Sequence, residues 1–454
     1  MRFRTQAVAY PYWVVALLLF GLQMVFGLLA VAKYLGPDPI RAWLPFDVTK
    51  EIHTNLLIVW VLTAFMGAAY WVVPEESEHE LHSPPLAYVQ LALWTLAGVT
   101  AVVGYLFGWT AGNKLLEQQL PVKLAIVVAM LLFLYNVGMT MWRARRVTTT
   151  EGMLVAGLAG AALLYLPALI NFRDYSLGIF YRWWTVHLWV EGVWELVQAG
   201  LLAFLLMRLL GARREVMEKW LYVIGGLTFI AGLLGTAHHY FWIGMPRYWL
   251  PLGGFFSAME PLAFLAMAIY AYAALRASGG GAATTNQLAL HWTMGSAIFS
   301  ALGAGILGLA HTWPAVNKWT HGTMITPMHG HMAFFGAYVM ISLAMITYAL
   351  PHLTGRPARA RGIGLWAFWL QVGGMFGMTM AFGAAGITQT YLERILGLGY
   401  LDTQREMQPH FLMLLGTGFI FVVGVALFLY AFFFAPRGAE AEVPAETAPE
   451  PAGA

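Results

Sequence analysis

Apolar residues along this chain gather into runs of about 20 to 27, separated by short stretches rich in charge, proline or glycine. A run of that length crosses the ~30 Å hydrocarbon layer of a bilayer when it is helical. Twelve are predicted, at 11–34, 52–73, 86–109, 121–142, 152–170, 184–210, 219–243, 251–275, 287–311, 321–350, 363–390 and 408–435. No segment alternates at period two over the roughly ten-residue length of a barrel strand. The pattern predicts an all-α, polytopic membrane protein, a bundle of about twelve transmembrane helices. One domain is expected over 1–436, followed by a disordered cytoplasmic tail over 437–454, rich in Ala, Glu and Pro. The first run reads as a retained helix, because from Trp13 to Leu35 it is too long for a signal peptide and lacks a small-residue cleavage site.

Composition agrees: 60% of the 454 residues are hydrophobic and 10% charged, far from the roughly half-apolar, quarter-charged soluble average. The absence of cysteine removes disulfides, thiolate metal sites and any haem attached through C-x-x-C-H. A net charge of +3 without a basic stretch excludes a nucleic-acid partner. Placing the amino terminus inside puts three basic clusters in cytoplasmic loops: Arg143, Arg145 and Arg146; Arg208, Arg213, Arg214 and Lys219; Arg356, Arg359 and Arg361. Both termini then lie inside. The acidic segment from Glu75 to His82 falls on the same side and lends that orientation no support.

Ionisable groups inside a span cost at least ~2.5 kcal/mol at its centre, so each is a functional candidate. In the sixth span, His187, Glu191 and Glu195 recur every four residues and share a helical face. A histidine and two carboxylates there call for a cation or for protons. The seventh span ends in the adjacent pair His238 and His239, the tenth carries His329 and His331, and the second opens at His53. At about 100° per residue, His329 and His331 point to nearly opposite sides of their helix and should serve two different metals. Under the chosen orientation all six histidines fall in the outer half of the membrane, a shared depth that independent core histidines have no reason to adopt. His79, His82, His291, His311, His352 and His410 lie in loops or at span ends and read as ordinary hydrogen-bonded side chains.

These residues carry a family resemblance that covers nearly the whole chain. HTNLLIVW at 53–60, HLWVEGVWE at 187–195, HHYFWIG at 238–244 and HGHMAFFGAY at 329–338 resemble the catalytic subunit of the haem–copper oxidase superfamily, and within it the cytochrome c-dependent nitric oxide reductase branch. The resemblance implies His53 and His331 as axial ligands of a low-spin haem b, and His329 as the ligand of a high-spin haem b. His187, His238 and His239 would hold a non-haem metal. Oxidases of the superfamily place a cross-linked tyrosine four residues after the first of these histidines; here that position is Glu191. A carboxylate is a hard oxygen ligand and moves a three-imidazole site from copper toward iron. Glu195 and Glu260 match carboxylates that the reductases use for proton delivery, and Glu117, in GNKLLEQQL, resembles a glutamate that helps bind calcium between haem propionates and a partner subunit. Met324 stands where relatives often carry a polar residue.

The implied reaction joins two nitric oxide molecules with two electrons and two protons into nitrous oxide and water. Electrons would arrive from a membrane-anchored cytochrome c subunit, since this chain has no cysteine to attach a haem or a dinuclear copper. Quinol-fed members carry a long extension before the first span, and only about ten residues stand there. No Lys, Asp or Glu occupies the inner half of spans eight, nine or eleven, so protons are expected from the outer side. The expected location is a bacterial inner membrane. Two other readings compete: an oxygen-reducing oxidase of the same superfamily, opposed by Glu191, and a haem-free proton-coupled transporter, opposed by the absence of an internal repeat.

Overall fold

The computed structural model describes residues 1–281, 284–355 and 362–434. Among them, twelve helices are long and apolar enough to cross a membrane: α1 (Arg4–Ala32), α2 (Phe46–Ser77), α3 (Pro84–Leu106), α4 (Leu120–Ala144), α5 (Thr149–Leu169), α6 (Tyr175–Leu210), α7 (Arg214–Tyr240), α8 (Trp249–Ala277), α9 (Gln287–Thr312), α10 (Ile325–Thr354), α11 (Ile363–Ile395) and α12 (Gln408–Phe434). No strand occurs among the described residues. The chain is a multi-pass membrane protein, as the hydrophobic pattern predicts.

Several helix ends lie a few residues from that pattern, and two have a plain physical reason. Helix α6 starts at Tyr175 rather than near 184, because Asp174 caps it by accepting from the Leu177 N–H at 2.7 Å; its first turns mix Ser, Tyr and Arg and so escape an apolar count. Helix α10 starts at Ile325 rather than 321, since His321 to Met324 form a turn.

Three helices form the interior. The apolar windows of α2, α6 and α10 are 83%, 72% and 83% buried, against no more than 56% in any other. Helices that are apolar on all faces belong at the centre of a bundle, and these three carry His53, His187, His329 and His331. Around them α1 runs along α2, α5 along α6, and α11 along α12.

At one end of the bundle the acidic stretch that closes α2 is the counterpart of the basic clusters. Glu75 pairs with Arg208 at 2.6 Å, Glu76 with Arg214 at 2.6 Å, and Glu78 with Arg146 at 2.8 Å and Arg2 at 3.4 Å. The segment that weakens the charge asymmetry in sequence is thus placed among its partners. Arg356, Arg359 and Arg361 lie outside the described residues, as does the tail over 437–454.

Among the described residues four helices contain a π turn: Trp189–Val193 in α6, Ala301–Leu307 in α9, Phe335–Val339 in α10 and Tyr391–Ile395 in α11. Widening a turn by one residue releases a carbonyl that an α-helix would consume, and a buried carbonyl must find another donor. Two of these turns interlock, since the Tyr338 hydroxyl in α10 donates to the Val190 carbonyl in α6. The Gly336 carbonyl accepts from Ser296 Oγ at 2.8 Å, and Ser296 accepts in turn from Gln198 Nε2 at 3.2 Å. Gly336 also lets α10 touch the α9 backbone: a Cβ there would lie 2.3 Å from the Phe299 carbonyl carbon. Gly336→Ala is expected to lose at least the ~1–3 kcal/mol typical of overpacking, read as a lower thermal midpoint in detergent; an unchanged midpoint would contradict this packing.

Candidate functional site

The histidines of α6 and α7 and one carboxylate converge. Ligand atoms of His187, Glu191, His238 and His239 all lie within 4.8 Å of one another. His187 Nδ1 stands 3.5 Å from Glu191 Oε2, and the ring centres of His238 and His239 are 4.2 Å apart. Donors bound at ~2.1 Å to a single ion sit roughly 3–4 Å from each other, so small rotations close this set around a metal.

Imidazole ligates through one nitrogen, and the second nitrogen fixes tautomer and aim. His187 directs Nε2 at the Gly232 carbonyl, 2.9 Å away, which leaves Nδ1 buried without a hydrogen-bond partner and turned toward the cluster. His238 directs Nδ1 at Ser257 Oγ at 2.7 Å, leaving Nε2. His239 is held differently: its ring lies on Trp183 with centres 4.0 Å apart and planes 4° from parallel. A buried imidazole nitrogen with no partner beside two more imidazoles and a carboxylate is what an ion-binding set requires.

The backbone of α6 places Glu191. The regular four-residue spacing assumes one straight helix, whereas the π turn interrupts it and Glu191 takes φ −120°, ψ 31°. Gly232 of α7 packs against this bulge so closely that a Cβ would sit 2.0 Å from the Glu191 carbonyl oxygen. The same glycine therefore accepts from His187 and admits the bulge that carries Glu191.

Two further carboxyls complete the pocket. Glu260, 4% exposed on α8, stands beside Glu191 and keeps Oε1 unpartnered. Glu195, 2% exposed, accepts from Thr228 Oγ1 at 2.9 Å through Oε2 and keeps Oε1 unpartnered. Carboxyls so placed can hold or pass protons, because their free oxygens face each other's field rather than water.

His53 and His331 form a second site. Their ring centres are 6.3 Å apart and their planes 21° from parallel. An iron between two imidazoles puts each donor nitrogen at about 2 Å and each ring centre about 1.2 Å beyond it, so the observed separation suits one iron with axial ligands on opposite faces. The rings approach this position with the correct nitrogens free: His53 Nδ1 meets the Gln23 carbonyl at 3.0 Å and His331 Nδ1 the Pro327 carbonyl at 2.8 Å. His329 points away from His331, with Nδ1 3.0 Å from the Gly303 carbonyl in the α9 π turn, and stands within electrostatic range of His238 and His239. His311, left with the ordinary histidines by sequence, lies 6.2 Å from His329 ring to ring. Thr320 and Thr326 engage both of its nitrogens, at 3.2 and 3.1 Å, and it offers a metal nothing.

Glu117 sits in the α3–α4 loop, away from the histidines. Its Oε1 accepts from the Leu115 N–H at 2.6 Å and Oε2 from Asn55 Nδ2 at 2.8 Å, and burial pushes its carboxyl above the usual range against the pull of those donors. Glu51 is close enough to interact with it. Two oxygen-rich side chains beside each other, one desolvated, suit a hard cation such as calcium.

Sequence reasoning missed Ser257, Trp183 and Thr228. Trp183 stands four residues before His187 on the same helix, a spacing that could have revealed it; the carbonyl anchors carry no sequence signal.

Known proteins give this arrangement a context. The family model described as cytochrome c and quinol oxidase polypeptide I matches residues 7–436. The chain is 43% identical to a nitric oxide reductase subunit of Stutzerimonas stutzeri, over 95% of each chain. Its fold is similar to that of a solved haem–copper terminal oxidase dimer, with a TM-score of 0.75, covering 96% of this chain and 85% of that one at 15% identity.

The Ser257 anchor makes a direct forecast. Ser257→Ala is expected to lower affinity for the ion at the His187 site by about 10–100-fold, measured as metal retained against a chelator, with the His53 and His331 site unaffected. Equal retention in both proteins would show that Ser257 does not orient His238.

Proposed function

The chain belongs to the cytochrome c and quinol oxidase polypeptide I family, and from that premise we propose that it is the catalytic subunit of a nitric oxide reductase, an oxidoreductase that reduces two NO to N2O and water. The observation that carries this reading is Glu191, an oxygen ligand among three imidazoles. That donor set favours iron over copper by ligand hardness, and the 43% identity to a nitric oxide reductase supports it.

In this reading His187, His238, His239 and Glu191 hold a non-haem iron, His329 binds a high-spin haem b, and His53 and His331 bind a low-spin haem b. The fit rests on the free nitrogen each ring keeps and on the 6.3 Å separation of His53 and His331. Bound there, the non-haem iron and the high-spin haem would supply binding places for nitric oxide and the electrons for joining two nitrogen atoms. Everything else falls to the side chains. The anchored imidazoles fix both halves of the pocket, so two reactants meet at high effective concentration. Glu260, against Glu191, and Glu195, against Thr228, deliver the two protons that the product water requires. His329 and His331, two residues apart on α10, would link the two haem positions through about half a helix turn. Glu117 would hold a calcium ion.

The relative from Stutzerimonas stutzeri is one subunit of its reductase, which implies a partner here too. We take that partner to be a membrane-anchored cytochrome c subunit, because this chain has no cysteine for a covalent haem. We place the protein in a bacterial inner membrane with the site in the outer half, both termini cytoplasmic, and protons entering from outside.

The test is N2O formation from NO by the purified complex with a reduced donor, followed by gas chromatography. Turnover is expected in the native protein, and Glu195→Gln and Glu260→Gln should each lower it by about 10²-fold or more, the size of a general-acid contribution. Oxygen consumption without N2O would place the chain among the oxidases; full activity in both variants would remove the carboxyls from proton delivery.

A further inference from the structure

A second polar pocket lies near the starts of α4 and α6 and contains none of the metal ligands. It holds about 40 Å³, room for a few waters at the ~10–15 Å³ each needs, or for one small ion. Asn113, Lys123, Asn171, Tyr181 and Arg182 are in its wall, and no Asp or Glu is.

Its two cations lack counter-ions. Lys123 is 4% exposed, and of its three donors one is used, on the Ala168 carbonyl at 2.9 Å. Arg182 has a buried Nε with no partner. Every ion pair among the described residues is formed elsewhere. Glu117 is in electrostatic range of both cations, but its oxygens are turned to Asn55 and the Leu115 N–H. Two positive groups facing one small space, Lys123 buried and Arg182 half-buried with its Nε sealed off, are stabilised by something negative between them.

We infer that this pocket is a binding site for a small singly charged anion, a halide or a planar oxyanion of the nitrate type, held between Lys123 and Arg182. A guanidinium fork matches a planar oxyanion, and an ammonium serves either kind. The site also touches the metal centre mechanically. The Arg182 guanidinium lies over the Trp183 ring at 5.3 Å, and Trp183 is the ring stacked on His239 at 4.0 Å. An anion that immobilises Arg182 steadies this stack, and with it the one cluster imidazole that lacks a hydrogen-bonded anchor.

A carboxylate of a bound haem could offer the same charge, so the experiment separates the two sources. The purified haem-loaded complex is titrated with sodium bromide at ionic strength held constant with gluconate, and thermal midpoint and haem spectrum are recorded. A saturable rise in midpoint is expected, competed by nitrate, with the half-saturating bromide concentration at least tenfold higher in Arg182→Leu and in Lys123→Met and the haem spectrum unchanged. No saturable response in the native complex, or the same response in both variants, overturns the inference. Loss of haem from the variants together with bromide independence assigns the pocket to a haem carboxylate and likewise overturns it.

Discussion

An imidazole that binds a metal inside a membrane has a second nitrogen, and in hydrocarbon that nitrogen must be satisfied by the protein itself. An α-helix offers no help, because its own carbonyls are already bonded. The bundle meets this demand by bending or sharing its backbone. Gly303 lies in a π turn and takes His329; Gly232 stands just before the tight 3₁₀ turn Thr236–Tyr240 and takes His187; Gln23 and Pro327 share their carbonyls with His53 and His331. These irregularities lie beside the site, where π turns tend to occur, and the interior helices α2, α6 and α10 pack around them.

The same bending decides the chemistry of the pocket. Without the π turn at Trp189–Val193, Glu191 would hold a helical φ and ψ; with it, the carboxyl stands 3.5 Å from His187 Nδ1 and beside Glu260. The turn is held in place from two sides, by the Tyr338 hydroxyl on the Val190 carbonyl and by the close approach of Gly232. The one carboxylate of the four-residue cluster is thereby set by a non-helical stretch of backbone that its neighbours hold in place.

The number and order of helices were legible because each run of apolar residues is long and bounded by charge, and the six histidines were legible because charges in spans are rare. Helical phase separated His329 from His331, which do turn to different carbonyls, those of Gly303 and Pro327; the grouping of the other histidines came from the family resemblance. Less was visible where tertiary contacts decide. The acidic stretch at Glu75 to Glu78 looked like a flaw in the charge asymmetry and is a set of ion-pair partners. The turns that put Glu191 in place leave no mark in residue type, and Ser257 meets His238 only through the packing of α8 on α7.

The central claim is that Glu191 and three imidazoles hold iron. Mössbauer spectroscopy of reduced complex from cells grown on ⁵⁷Fe tests it most directly. The account predicts a high-spin ferrous signal with nitrogen and oxygen ligands, distinct from the haems, present once per chain and lost in Glu191→Ala. Haem signals alone, with copper recovered once per chain, would contradict it.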